Sequence, residues 1–145
     1  MKFLRLPPIL FVLWLTIGCI LQARWPLPLH LPRIAGIVIL ALAAALAASA
    51  LLALHRRQTA IEPWHRPSAL VTSGAFAISR NPIYVSLILI VFGLAVAADA
   101  LWLAIAAVML WLTLDVVIVR GEERLVLDAF GEEYDAYRRR VRRWL

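Results

Sequence analysis

The sequence predicts an all-α, polytopic membrane protein with four transmembrane helices, a long cytoplasmic loop and a C-terminal helical segment lying in the cytoplasm or at its interface. Three observations predict it. Of the 145 residues, 63% are hydrophobic and the mean hydropathy is +0.85, far above the roughly half-apolar composition of a soluble domain. The apolar residues gather into four runs near the ~20 residues needed to cross a bilayer core of about 30 Å. Thirteen of the fifteen Lys and Arg residues fall on one side once those runs are threaded back and forth.

The first run is Leu6 to Ala23. Lys2 and Arg5 ahead of it give it the look of a secretory leader, but it ends in "LQARWPLPLHLP" with no small-x-small cleavage site, so it is read as a retained span. Pro26, Pro28 and Pro32 in "RWPLPLHLPR" cannot continue a helix and predict an extended interfacial loop. The second run, Ile34 to Leu54, leads into a loop from His55 to Asn81 that is too long for a simple connector. Trp64, Leu70, Val71, Phe76 and Ile78 give that loop apolar surface to pack, and Gly74 offers a turn where backbone can approach a ligand closely. The third run, Pro82 to Ala98, opens at "RNPIY" with Asn81 at the N-cap and Pro82 at N1. The fourth, Ala100 to Val119, follows so closely that the two form a hairpin with Asp99 at its tip.

Orientation follows from charge. With the N-terminus inside, Lys2, Arg5, Arg56, Arg57, Arg66, Arg80, Arg120, Arg124, Arg138, Arg139, Arg140, Arg142 and Arg143 are cytoplasmic, and only Arg24 and Arg33 lie outside. Both termini are therefore expected in the cytoplasm. The net charge of +6 is concentrated on the face that meets anionic head groups. Basic clusters also mark nucleic-acid binders, but in a chain made mostly of spans lipid is the simpler partner, and no nucleic acid is expected. A single cysteine, Cys19, excludes a disulfide framework, and His30, His55 and His65 stand apart, so no metal is expected.

Beyond the fourth run, Leu127, Phe130, Tyr134, Tyr137, Val141 and Trp144 recur at three- and four-residue steps and would share one helical face, with Arg138, Arg139, Arg140, Arg142 and Arg143 largely on the other. Gly131 is expected to divide the segment into two helical pieces. The plain reading is an interfacial helix with its aromatic stripe in the membrane. Asp115, about one turn inside the fourth span, is costly there and is expected to face the bundle interior or a wet cavity. Glu122 lies two turns on, so a helix running past Val119 would bring Asp115 and Glu122 to one pocket. The Glu122 and Glu123 pair reads either as a solvated surface near Arg120 and Arg124 or as a negative spot suited to a small cation. The helix start at Asn81 would present free N–H groups to a carboxylate or phosphate.

"LVTSGAFAISRNPIYVS", followed after the hairpin by "EERLVLDAFGEEYDAYRRRVRRWL", resembles the isoprenylcysteine carboxyl methyltransferase and phospholipid methyltransferase group of integral membrane enzymes. The likeness covers about residues 63–145, the cofactor-binding core of a single membrane domain whose residues 1–62 supply two N-terminal spans. Phe76, Asn81 and Ser86 stand where that pattern usually has Tyr, often His, and commonly Gly, departures that bear on the substrate more than on the cofactor. The resemblance implies a site for S-adenosylmethionine lined by Leu70, Val71, Gly74, Arg80, Asn81, Pro82 and Tyr84, closed by Glu122 and Glu123, with Tyr134 and Tyr137 holding the C-terminal segment over it. It also implies catalytic roles for Arg143, near an acceptor carboxylate, and for Glu122.

The implied cofactor carries a sulfonium, an ammonium and a carboxylate, which acidic side chains and helix N–H groups would complement. The implied acceptor is lipophilic: a carboxylate, which needs no general base, or a lipid amine or thiol, where Asp115 or a Glu would take a proton from an amine. Two other classes stay open: a non-catalytic membrane protein whose basic tail binds anionic lipid or a partner, and a small transporter subunit dependent on Asp115.

Overall fold

The computed structural model describes residues 7–56 and 69–145. The start of the first expected span with Lys2 and Arg5, the first half of the long loop with Arg57, Trp64, His65 and Arg66, and the expected core boundary at residue 63 lie outside the described residues. The chain runs α1 (Pro7–Arg24), α2 (Arg33–Arg56), a 3-10 turn (Gly74–Ala77), α3 (Pro82–Ala97), α4 (Leu101–Leu114), a π-helical turn (Asp115–Val119), α5 (Arg120–Phe130) and α6 (Glu132–Arg140). The fold is all-helical; extended pairing among the described residues is limited to a single parallel bridge between Ser79 and Arg142.

The α3–α4 hairpin is the centre, with α2 packed on α3 and α1 packed on α4. Small residues set these approaches. Gly36, Ala43 and Ala50 of α2 are buried at seven-residue spacing, and a Cβ on Gly36 would lie 2.4 Å from the Ala97 nitrogen and 2.7 Å from the Gly93 carbonyl oxygen. The α2 backbone at Gly36 thus lies directly against the α3 backbone, the small-residue contact typical of helices in lipid. Asp99 sits at the hairpin tip as expected, with a positive φ of 53°. Its Oδ1 accepts the N–H groups of Leu29 and His30 at 2.8 and 2.7 Å, and these, His30 first, hold its carboxyl below the usual carboxylate range. The proline-rich loop is thereby fastened to the hairpin, and Trp102 Nε1 adds a hydrogen bond to the Trp25 carbonyl at 2.8 Å.

Leu110, Leu114, Val91 and Val119 are fully buried in the core, whereas Ile34, Ile37, Val38 and Leu42 on α2, Val108 and Trp111 on α4, and Val116 and Val117 on the π turn face outward. An apolar exterior of this extent matches hydrocarbon rather than water. Among the described residues three helices are long and apolar enough to cross a membrane: Pro7–Arg24, Arg33–Arg56 and the continuous rod Leu101–Phe130. The remaining expected span, α3, is apolar but has 16 residues, about 24 Å of helix. The fourth run does not stop at Val119, because the π turn carries it without interruption into α5.

Gly131 divides the last segment as expected, with φ of 49° between α5 and α6. The single helical face from Leu127 to Trp144 is not formed. α6 ends at Arg140 and Val141 turns extended, because residues 142–143 find backbone and side-chain partners on the loop beside α3. Tyr134 and Tyr137 are buried inside the protein rather than turned to lipid.

Candidate functional site

Three chain segments, distant in sequence, meet at one end of the hairpin: Val71–Tyr84, Asp115–Glu123 and Tyr134–Trp144. The first is fixed from below. Val71 is buried in a cluster with Ala53 and Leu54 of α2, and the Ala75 N–H donates to Ser49 Oγ at 3.1 Å. Gly74 has a φ of 61°, and a Cβ there would meet Ser49 and Ala53. This glycine permits a close approach of the loop to α2. Leu70, next to Val71 in the chain, is half-buried.

Asn81 stands at the N-cap of α3 with Pro82 at the helix start, but its side chain makes no cap. Its Nδ2 instead donates to the Arg143 carbonyl at 3.0 Å, and Ser79 Oγ donates to the same oxygen at 3.2 Å. Ser79, fully buried, also accepts the Asn81 N–H at 3.1 Å. The Arg80 N–H donates to the Arg142 carbonyl at 2.9 Å. Residues 141–145 thus form a strap held by its backbone across the start of α3. Sequence reading missed Ser79; its signal is the position two residues before Asn81, where a serine hydroxyl closes a local turn.

The carboxylates lie under the strap. Glu123 is gripped by the Arg143 guanidinium through two bonds, Nη2 to Oε2 at 2.6 Å and Nε to Oε1 at 3.1 Å. Arg80 Nη1 reaches Glu123 Oε1 at 3.1 Å and also donates to the Tyr134 hydroxyl at 3.3 Å. Arg143 Nη1 and Trp144 Nε1 both donate to Asp115 Oδ1 at 3.2 Å, while Arg120 occupies Oδ2. Tyr84 donates to Glu122 Oε1 at 2.5 Å. The fork geometry with Glu123 holds the Arg143 guanidinium above its ordinary pKa. Burial raises the Tyr134 and Tyr137 phenols, the latter donating to the Phe76 carbonyl at 2.6 Å.

Every expected site residue in this cluster is thus brought close, with two corrections. Glu122 and Glu123 are not a solvated surface, since both are half-buried and paired with protein groups. The residue that shares a partner with Asp115 is Glu123 rather than Glu122. The cause is the π turn: the Arg120 N–H bonds to the Asp115 carbonyl, five residues back instead of four, so one extra residue enters the turn. Two turns beyond Asp115, the register falls at i+8, Glu123, where a plain α-helix would place i+7. Glu122 is rotated toward α3 and Tyr84.

One atom of this network is left over. Among the described residues the buried Arg80 Nε has no hydrogen-bond partner, a donor shaped for an anionic oxygen. Among the described residues no cluster of His, Cys, Asp and Glu could hold a metal ion.

A family model described as phospholipid methyltransferase matches residues 31–133, a span that contains α2, the hairpin, both carboxylates and Arg80. Comparison with curated proteins and with solved structures finds no match.

Proposed function

The chain belongs to the phospholipid methyltransferase family, and from that premise we propose that it is a membrane-embedded methyltransferase that uses S-adenosylmethionine to methylate a lipophilic acceptor. One observation carries the reading: two half-buried carboxylates and a half-buried guanidinium, whose buried Nε has no partner among the described residues, converge where the loop, the α4 rod and the strap meet. That donor set fits a ligand with two cationic centres and one carboxylate. Glu122 and Glu123 would hold the cations, and Arg80 Nε would receive the carboxylate, a role the helix N–H group of Tyr84 would support. Leu70, Val71, Gly74 and Pro82 shape the loop behind them, and Tyr134 and Tyr137 keep α6 in place.

The cofactor supplies a methyl group already activated for in-line displacement, so the protein's work is positioning and exclusion of water. Arg143, 35% exposed, orients an anionic acceptor. Where the acceptor is an amine, Glu122 is the base. Asp115 is unsuited because four donors from Arg120, Arg143 and Trp144 occupy both its oxygens, whereas Glu122 accepts one hydrogen bond, from Tyr84, among the described residues.

In this reading α3 is a short fourth span, the termini and the site lie in the cytoplasm, and the exposed Arg120, Arg124, Arg139 and Arg140 meet anionic lipid.

Titration of detergent-purified protein with S-adenosylmethionine tests the reading. Wild type is expected to bind, and the Glu122→Gln/Glu123→Gln variant is expected to lose binding while its near-ultraviolet circular dichroism shows retained packing. Unchanged affinity in a folded double variant would refute this site. Methyl incorporation into extracted lipid then identifies the acceptor.

A further inference from the structure

The proposed site is already filled by a cation of its own. Glu123 receives Arg143 on both oxygens and Arg80 on one. Resting on the reading above, we infer that Arg143 is a tethered counter-cation, which holds Glu123 in the ligand-free protein and competes with the cationic part of S-adenosylmethionine for it.

The geometry permits the exchange without unfastening the strap. The backbone of the strap is held by Ser79, Arg80 and Asn81 at the carbonyls of Arg142 and Arg143, and none of those bonds uses the guanidinium. The Arg143 side chain is 35% exposed and Arg80 only 13%, so Arg143 is the partner with room to leave. It also has a second anchor, Asp115 Oδ1 at 3.2 Å, which keeps the charge compensated once Glu123 is given up. The Nε and Nη2 donors freed by that movement are the ones an anionic acceptor would need. Arg143 takes both oxygens of Glu123 and Arg80 shares one of them, so an added ammonium would meet two guanidinium charges around one carboxylate, a like-charge repulsion that withdrawal of Arg143 relieves.

The sign of one substitution tests this. Arg143→Gln removes the competitor, so calorimetric titration should show S-adenosylmethionine binding about fivefold tighter than to wild type, the scale of a partly exposed ion pair. Arg143→Lys keeps the charge but loses the fork and should fall between the two; it also reads the competition if the Gln variant does not fold. Arg142→Gln removes the same charge one residue away, from a side chain with no ion pair among the described residues, and should leave affinity unchanged. Weaker or equal binding by both Arg143 variants overturns the competition alone, as does equal tightening by Arg142→Gln, which would indicate net charge instead of contact. No binding by wild type or any variant overturns the cofactor reading and this inference together.

Discussion

Glu123→Gln isolates the group on which the site's electrostatics depend. The substitution keeps shape but removes the charge shared by Arg80 and Arg143. Arg80 is 13% exposed and Glu123 17%, so this arm approaches a buried pair, for which stranding one partner costs about 3 kcal/mol. The Arg143 arm is 35% exposed and screened, contributing roughly 1 kcal/mol. The Gln carbonyl still accepts one hydrogen bond, which offsets about 1 kcal/mol. The expected loss is therefore about 3 kcal/mol of stability in the ligand-free protein. Denaturant unfolding in detergent, followed by near-ultraviolet circular dichroism, measures it. The double variant with Arg143→Gln should recover part of the loss, because the second guanidinium is no longer stranded. Glu133→Gln, at an exposed position of α6, provides the scale. If Glu123→Gln costs no more than the ~0.5 kcal/mol typical of a surface change, the ion-pair network is not holding the strap and the reasoning fails.

Gly36→Val places a side chain against the α3 backbone, where no rotamer relieves it, and should cost about 3 kcal/mol or more; a melting midpoint close to wild type would show that α2 does not pack there. Deleting Val117 removes the extra residue of the π turn and lets it relax to α-helix with Asp115 and Glu123 still aligned. It should be tolerated far better than deletion of Val108 in α4, and equal damage in thermal unfolding would disprove the register account. Tyr134 and Tyr137 should ionise above the ordinary tyrosine range. Because their folded pKa values are raised, stability is complete below the unfolded value of about 10 and falls as pH rises through the folded values. Absorbance of phenolate tracked against unfolding checks this, and normal titration of all three tyrosines in folded protein would contradict it.

What was legible in the sequence was local. Apolar runs of bilayer length, prolines between the first two, a single residue between the last two and a glycine at position 131 each act within a few residues, and the helices, the hairpin tip at Asp99 and the break before α6 follow from them. The ordered loop and tail motifs also named the residues that gather at the site, since a motif records which groups are used together. Their pairing was not legible. Whether Asp115 faces Glu122 or Glu123 turns on one extra residue in a single helical turn, which no apolar periodicity marks. Asn81 and Val141–Trp144 each had a satisfactory local role, as a helix cap and as more helix. Tertiary structure overrode both, because the Arg143 carbonyl finds the buried Ser79 and Asn81 and its guanidinium the half-buried Glu123 and Asp115, which only become neighbours once α3 and the α4 rod are packed together. Sequence therefore determined the elements and the inventory of charges, and the packed fold decided which charge neutralises which.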